Sequence, residues 1–346
     1  RLISGRLPGS LAQTNIVANM LFGAISGSGT AAAAAIGGTM APIELEEGYD
    51  KDYVAAVNIA SAPTGQLIPP SNTLIVYATV AGSVSVAALF MAGYIPGIAW
   101  GISLMFIAGY MAKRRGYVST FSVTPKEALK VLWDALPSLL LIIIVIGGIL
   151  KGVFTATEGS AIAVVYALIL SLCYRSLKIK DLPSIILSSC KTTCIVIFMI
   201  GVSSIMSWVM AYTMIPTAIA NAMLSLSSNK YVILLLMNVI LLVVGTFMDP
   251  TPAVLIFTPI FLPICQSFGM DPVQFGIMIV FNLCIGTITP PVGVILFTGC
   301  KVVGISIEGV IKTLLPFFAA IAVVLLLVTY VPAMSMWIPS MLGLVK

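Results

Sequence analysis

The 346-residue sequence contains no histidine and very little charge: 17 Lys and Arg and 12 Asp and Glu, 8% of all residues. A typical soluble domain carries about 25%. Lack of histidine removes the commonest metal ligand and the usual acid–base group, which argues against a haem protein, a zinc protease or a histidine proton relay. No phosphate-cradling loop stands beside a Walker-type lysine. The six cysteines, Cys173, Cys190, Cys194, Cys265, Cys284 and Cys300, form no CxxC pair. They lie in or beside apolar stretches, where buried, inert thiols are expected, and Cys190 and Cys194 could share a helix face. What the chain has in abundance is apolar surface: 60% of residues are hydrophobic and the mean hydropathy is +1.13. That is the composition of a polytopic, all-α membrane protein whose partner is the lipid bilayer. The net charge of +5 gives no sign of nucleic-acid binding, and the basic residues sit in short clusters between apolar runs, as cytoplasmic loops do. The sequence opens at Arg1 without methionine or signal peptide, as expected of part of a longer or processed chain.

Simple membrane-crossing helices are predicted at 84–111, 135–150, 157–174, 191–213 and 313–331. Two further regions, 16–80 and 231–300, are apolar but broken by Gly, Ser and Pro. Irregular backbone survives at membrane depth only when buried in protein or lining a cavity, so function is expected there. A shift of 221 positions superimposes these regions without a gap. Pro42-Ile43 falls on Pro263-Ile264, Asp50 on Asp271, and Ser28-Gly29-Thr30 on Asp249-Pro250-Thr251. Gly65-Gln66-Leu67-Ile68-Pro69-Pro70 falls on Gly286-Thr287-Ile288-Thr289-Pro290-Pro291. One register held over such a length marks an internal repeat.

Three predicted crossings separate the two units, so the second is expected to be inverted. With Lys113-Arg114-Arg115 placed in the cytoplasm, 14 basic residues fall inside and 3 outside, in keeping with the positive-inside rule. The expected organisation is a first repeat over 1–111, connecting loops and scaffold helices over 112–230, and an inverted repeat over 231–346. Each repeat has a re-entrant hairpin (about 16–42 and 233–263), a helix interrupted at Gly-x-x-x-Pro-Pro (53–81 and 274–301) and a closing helix (84–111 and 313–331). The hairpin tips are placed at Ser26–Thr30 and Met248–Pro252. Inverted repeats with discontinuous helices near the midplane are the architecture of secondary transporters.

Tandem prolines lack two amide donors and so free upstream carbonyls. Such oxygens, with hydroxyls, suit Na⁺. One cation is expected among Ser26, Ser28, Gly65, Ile68 and Pro70, and a second among Asp249, Gly286, Thr289 and Pro291. Asp249 is read as the one carboxylate at midplane depth, the other eleven acids, Glu44 among them, being assigned to loops or membrane ends. Half-helix N-termini favour an anionic substrate group. Ser28, Thr30, Ser71, Asn72, Thr73, Asp249 and Thr251 are the candidate substrate contacts, weighted toward the first break because Val292-Gly293-Val294 is apolar. No enzymatic constellation is visible: Ser28 has no base partner and no two carboxylates pair at the midplane.

The runs Asn19–Gly29, Ile68–Asn72, Phe247–Pro250 and Gly286–Gly293 resemble the large membrane subunit of tripartite ATP-independent periplasmic (TRAP) transporters. The resemblance covers nearly the whole chain, though the family usually has roughly two further helices ahead of Arg1. It implies a multi-pass protein of the bacterial inner membrane, a Na⁺-coupled elevator-type importer. It also implies a small membrane (Q) subunit, sometimes fused, and a periplasmic substrate-binding (P) protein as partners. By the same resemblance Ser26, Ser28, Gly65 and Pro70 hold one Na⁺, Asp249 and Gly286 with its neighbours the other, and Ser28 and Asp249 also face substrate. Asn58–Gly65 resembles the sialic-acid and sugar-acid subgroup; a C4-dicarboxylate is the other candidate cargo. A stand-alone divalent-anion/Na⁺ symporter without a binding protein is the alternative reading.

Overall fold

The computed structural model describes residues 8–82, 84–117, 125–215, 218–219, 221–222 and 229–345, and all regular structure among them is helical. The chain divides into two compact units. One holds α1 (Ser10–Ser26), α2 (Gly29–Glu46), α3 (Lys51–Ser61), α4 (Asn72–Ala81) and α5 (Val86–Arg115). To these it adds α9 (Lys230–Gly245), α10 (Pro250–Ser267), α11 (Pro272–Gly286), α12 (Val294–Val303), α13 (Ile307–Tyr330) and α14 (Ala333–Met341). The other unit holds α6 (Pro125–Leu150), α7 (Ala156–Cys173) and α8 (Leu182–Tyr212).

Among the described residues, four helical stretches are long and apolar enough to cross a bilayer: Val86–Arg115, Ile179–Met206, Pro250–Ser267 and Ile307–Tyr330. Shorter apolar helices accompany them, including Ala135–Leu150 and Thr157–Cys173. Ile195, Ile197, Phe198, Ile205 and Trp208 of α8 are all exposed. Apolar side chains on the outside of a helix need lipid or protein as solvent. Cys173, Cys190 and Cys194 share this outward setting and are exposed, which corrects the expectation of six buried thiols; Cys265, Cys284 and Cys300 are buried.

Capping chemistry sets the helix starts in the first unit. Ser28 Oγ accepts from Ala31 N at 3.3 Å and opens α2. Asp249 Oδ2 accepts from Thr251 N at 3.4 Å and opens α10. Asp271, Ser85 and Ser306 cap α11, α5 and α13 in the same way. A side-chain oxygen at this position satisfies an amide that the first turn leaves without a partner. Because Ser28 and Asp249 are the caps, Thr30, Thr251 and Pro252 lie inside the first turns of α2 and α10 rather than in the tips. The hairpin arms also begin earlier than expected, at Ser10 and Lys230 rather than near 16 and 233.

The core of this unit is built from helices of both halves of the chain. Trp100 of α5 is fully buried, packs its ring 4.6 Å from that of Phe281 of α11 at a 40° tilt and donates through Nε1 to Ala60 O at 3.1 Å. Tyr77 of α4 reaches Pro272 O at 2.6 Å. α2 packs on α12, and α10 packs on α4, so each hairpin's second arm lies against the other half's second helix segment. At one end Arg115 donates to Asp50 Oδ2 (2.9 Å) and to both oxygens of Asp52 (2.8 and 2.7 Å). Thr313 of α13 donates to Asp52 as well. Arg115 is therefore turned inward against α3 and α13, whereas Lys113 and Arg114 stay exposed.

Candidate functional site

The two proline pairs interrupt helices as their covalent chemistry requires. After α3 the chain runs through a short 3-10 turn, Ala62–Gln66, and then through Leu67–Ser71 before α4 starts. Pro69 and Pro70 offer no N–H, so the carbonyls of Gly65 and Gln66 lose their helical donors. Ser71 compensates Gln66 by donating from Oγ to its carbonyl, and the same oxygen accepts from Leu74 N at 3.3 Å. The second break, between α11 and α12, satisfies its carbonyls through the backbone instead. Thr289 N donates to Gly286 O at 3.0 Å, and Ile295 N to Thr287 O at 3.0 Å. Both Pro-Pro peptide bonds are cis.

Each hairpin tip abuts the break of its own half. Gly27 ends α1 in the left-handed region (φ 63°), and a Cβ there would lie 3.4 Å from Asn72 N and 3.6 Å from Pro70 O. Deeper in, Gly23 and Gly65 press backbone on backbone, with a Gly65 Cβ falling 2.0 Å from Gly23 Cα. In the second half Gly245 and Gly286 do the same, at 2.2 Å from a Gly286 Cβ to Gly245 C. Gly293 N donates to Thr246 O at 3.2 Å, joining the second tip to the second break. The halves themselves meet where Cys284 Sγ donates to Gln66 Oε1 at 3.2 Å.

The candidate residues are distributed as follows. Ser26, Asn72, Asp249 and Pro291 are exposed, and Ser28, Thr30, Pro70, Thr251 and Thr289 are half-buried. Gly65, Ile68, Ser71, Thr73 and Gly286 are buried. Ser28 Oγ and Thr30 Oγ1 are 3.1 Å apart, and Ser28 N donates to Ser26 Oγ at 3.3 Å. Ser26, Ser28, Gly27 and Asn72 thus gather at the first tip. Ser71 is committed to the backbone of its own break. Asp249 lies within electrostatic reach of Cys284. Among the described residues no three Cys, Asp or Glu side chains cluster as a metal site. The donors available are carbonyls, hydroxyls and the lone Asp249 carboxylate, a set of hard oxygens that fits an alkali cation.

Comparison with known proteins decides the identity. Residues 1–334 match the family model described as "Tripartite ATP-independent periplasmic transporter, DctM component". The chain belongs to this family. It is a TRAP transporter large permease, a multi-pass membrane protein and not an enzyme, and the family imports solute together with a binding protein. It is 41% identical over 335 residues to the isethionate TRAP transporter permease protein DctMQ of Oleidesulfovibrio alaskensis, covering 96% of this chain and 53% of that one. It is 37% identical over 341 residues to the C4-dicarboxylate TRAP transporter large permease protein DctM of Pseudomonas aeruginosa, with 98% and 80% covered. Identity to the sialic acid TRAP transporter large permease protein SiaM of Vibrio cholerae is 35% over 338 residues, with 97% and 79% covered.

Three features of the permease site escape a reading of the sequence. Gln66 stands at the first break between Cys284 and the start of α2 (a Gly29 Cβ would lie 3.4 Å from its Oε1); the polar Thr287 at the matching position of the other half is its one signal. An apolar cavity of about 500 Å³ opens at the second tip and break, lined by Phe247, Thr289, Pro290, Pro291 and Phe318 among others. Glu44, assigned to a loop end from its neighbours Glu46 and Glu47, is fully buried. It sits near the end of α2, where that helix is covered by α1 and α3, and a local sequence pattern does not carry that tertiary contact.

Proposed function

We propose that this permease is the membrane component of a Na⁺-coupled importer of an organic anion in the bacterial inner membrane. Two inversely oriented repeats build it, and the unit holding both hairpins and both broken helices carries the site across the bilayer as an elevator. Element order supports the repeat reading: α2 and α10, α3 and α11, and α5 and α13 start 221 positions apart. The observation that carries the functional reading is the packing of each hairpin tip against a helix break, which brings hydroxyl and carbonyl oxygens together at two equivalent places. One Na⁺ is assigned to Ser26, Ser28 and carbonyls near Gly65, Ile68 and Pro70. The second is assigned to Asp249 with carbonyls near Gly286, Thr289 and Pro291. Bound cations, the N-terminus of α4 and the Ser28, Thr30 and Asn72 side chains then supply the positive field and donors that a carboxylate or sulfonate needs.

The relatives' names cover isethionate, C4-dicarboxylate and sialic acid, all organic anions. Sialic acid or a related sugar acid rests on the Asn58–Gly65 run. Asn58 and Ser61 of that run are buried and bonded within the protein, so cargo choice is assigned to the tips and to the periplasmic binding protein. A small membrane subunit completes the assembly. The test is uptake by proteoliposomes holding the permease with both partners. Accumulation under an imposed Na⁺ gradient without ATP, and dependent on the binding protein, is the expected result. Equal uptake in K⁺ medium without Na⁺ overturns the coupling.

A further inference from the structure

Glu44 is the most completely buried acid among the described residues, with 0% of its surface exposed. Its side chain has one kind of partner. Asn15 Nδ2 on α1 donates to Oε1 at 3.4 Å and to Oε2 at 3.3 Å, both long for charge-assisted bonds. No described cation bonds it; Arg115 is engaged with Asp50 and Asp52. The polar contacts continue inward from Asn15. Asn19 Nδ2 donates to Asn15 Oδ1 (2.8 Å), Asn58 Oδ1 (3.1 Å) and Ser61 Oγ (2.9 Å). Asn58 Nδ2 ends the ladder on Ala33 O of α2 at 3.0 Å. Asn15, Asn19, Asn58 and Ser61 are all 0% exposed, and Asn19 Oδ1 accepts no bond. The ladder therefore ties α1, α2 and α3 together directly behind the contact of Gly23 with Gly65.

Among the described residues, the elements packed on α2 bring no cation into contact with Glu44. α1 and the 3-10 turn carry no titratable residue. α3 brings Tyr53, whose hydroxyl donates to Ala108 O, together with Lys51 and Asp52, which does not bond Glu44 but pairs with Arg115. α2 itself ends at Glu46, and the connection beyond it brings Glu47, Tyr49 and Asp50. α12 brings Cys300 and Lys301, neither bonded to Glu44. Tyr49 and Tyr53 are the titratable groups in electrostatic reach, and both are neutral phenols at ordinary pH. A buried carboxylate with two long amide contacts and no cation is costly, and such a group keeps its proton instead.

We propose that Glu44 is a proton-binding site: its carboxyl is held neutral inside the first hairpin, and its proton keeps α1 closed on α2 and α3 through the asparagine ladder. The second half lacks the device. The residue 221 positions on is Cys265, and the corresponding polar ladder, Asn282 to Asn238 to Thr329, contains no acid. Burial raises the Glu44 carboxyl to about 8, with the Asn15 contact opposing weakly. A raised carboxyl binds its proton more tightly folded than unfolded. Its contribution is thus full below the ordinary glutamate range and is lost as pH climbs toward about 8.

The experiment is infrared spectroscopy of the purified permease across that range, comparing wild type, Glu44→Gln and Asp249→Asn. We expect the carbonyl band of a neutral carboxylic acid well below pH 8, absent from Glu44→Gln, retained in Asp249→Asn, and fading as pH passes about 8. Thermal melting of wild type falls over the same climb, and Glu44→Gln lacks that part of the fall. Should Glu44→Gln not fold, the wild-type band and its shift in heavy water still decide. A wild type without a neutral-acid band, or a band kept by Glu44→Gln, overturns the proposal. Both readouts are independent of Na⁺ coupling, so a failed uptake assay leaves this inference untouched.

Discussion

Asp52 shows how a single residue can tie the first unit together. Its carboxyl is held down at about 2, chiefly by its hydrogen bonds from Arg115, which outweigh the opposing effect of burial, with the Thr313 hydrogen bond adding to them. A depressed carboxyl contributes stability above its ordinary range and loses it only as pH falls toward about 2. The contact is partly exposed (26% for Arg115 and 27% for Asp52), so solvent screening reduces its worth. Asp52→Asn is expected to cost about 1–2 kcal/mol in chemical or thermal unfolding and to flatten the acid limb of the stability profile. Asp249 plays a different part. Asp249→Asn keeps an oxygen to cap α10 and removes the charge, so the melting temperature stays within a few degrees while Na⁺-driven uptake drops on the order of tenfold or more. Wild-type uptake by that variant removes Asp249 from the cation site. At this scale the sequence was an uneven guide. Asp249 stood out because it sits alone among apolar residues, whereas the burial of Glu44 depends on Asn15, 29 positions earlier in the chain.

Among the elements, glycine contacts hold each hairpin to its break. Gly65→Ala and Gly286→Ala place a Cβ about 2 Å from the opposing backbone (2.0 and 2.2 Å), and backbone cannot yield as a flexible side chain can. Each is expected to destabilise by at least about 1–3 kcal/mol and to abolish uptake by parting tip from break. Gly38→Ala, in α2 with nothing within 4 Å of its Cβ, is the matched control; it stabilises by about 0.5–1 kcal/mol through helix propensity. Equal melting temperatures for Gly65→Ala and Gly38→Ala contradict this packing. The breaks were legible from sequence because proline's missing amide is a covalent fact that no tertiary context repairs. Tip boundaries were less so. A Pro-rich or Gly-rich run marks a turn, but Ser28 and Asp249 decide as caps where helix resumes, and Thr30 and Thr251 consequently moved into helices. Ser71 looked like a free donor after a Pro-Pro pair and is occupied by Gln66 O and Leu74 N.

For the whole molecule, the pairing of α2 with α12 and of α10 with α4 makes the two halves one body rather than two neighbours. The halves touch through Cys284 to Gln66 and from Gly29 onto Ile295, so on the proposed function a cation in one half would bear on the tip of the other. The 221-position register relates the two halves in the sequence, but the cross-pairing itself is a tertiary choice that no local pattern records. On the proposed function, each hairpin tip and its helix break form an oxygen-lined cation site. Saturable binding of radiolabelled Na⁺ to the purified permease tests it most directly. We expect saturable binding that K⁺ does not displace, reduced in part by Ser28→Ala and in part by Asp249→Ala, with little left in the double variant. Absence of saturable Na⁺ binding, or binding unchanged in the double variant, contradicts it.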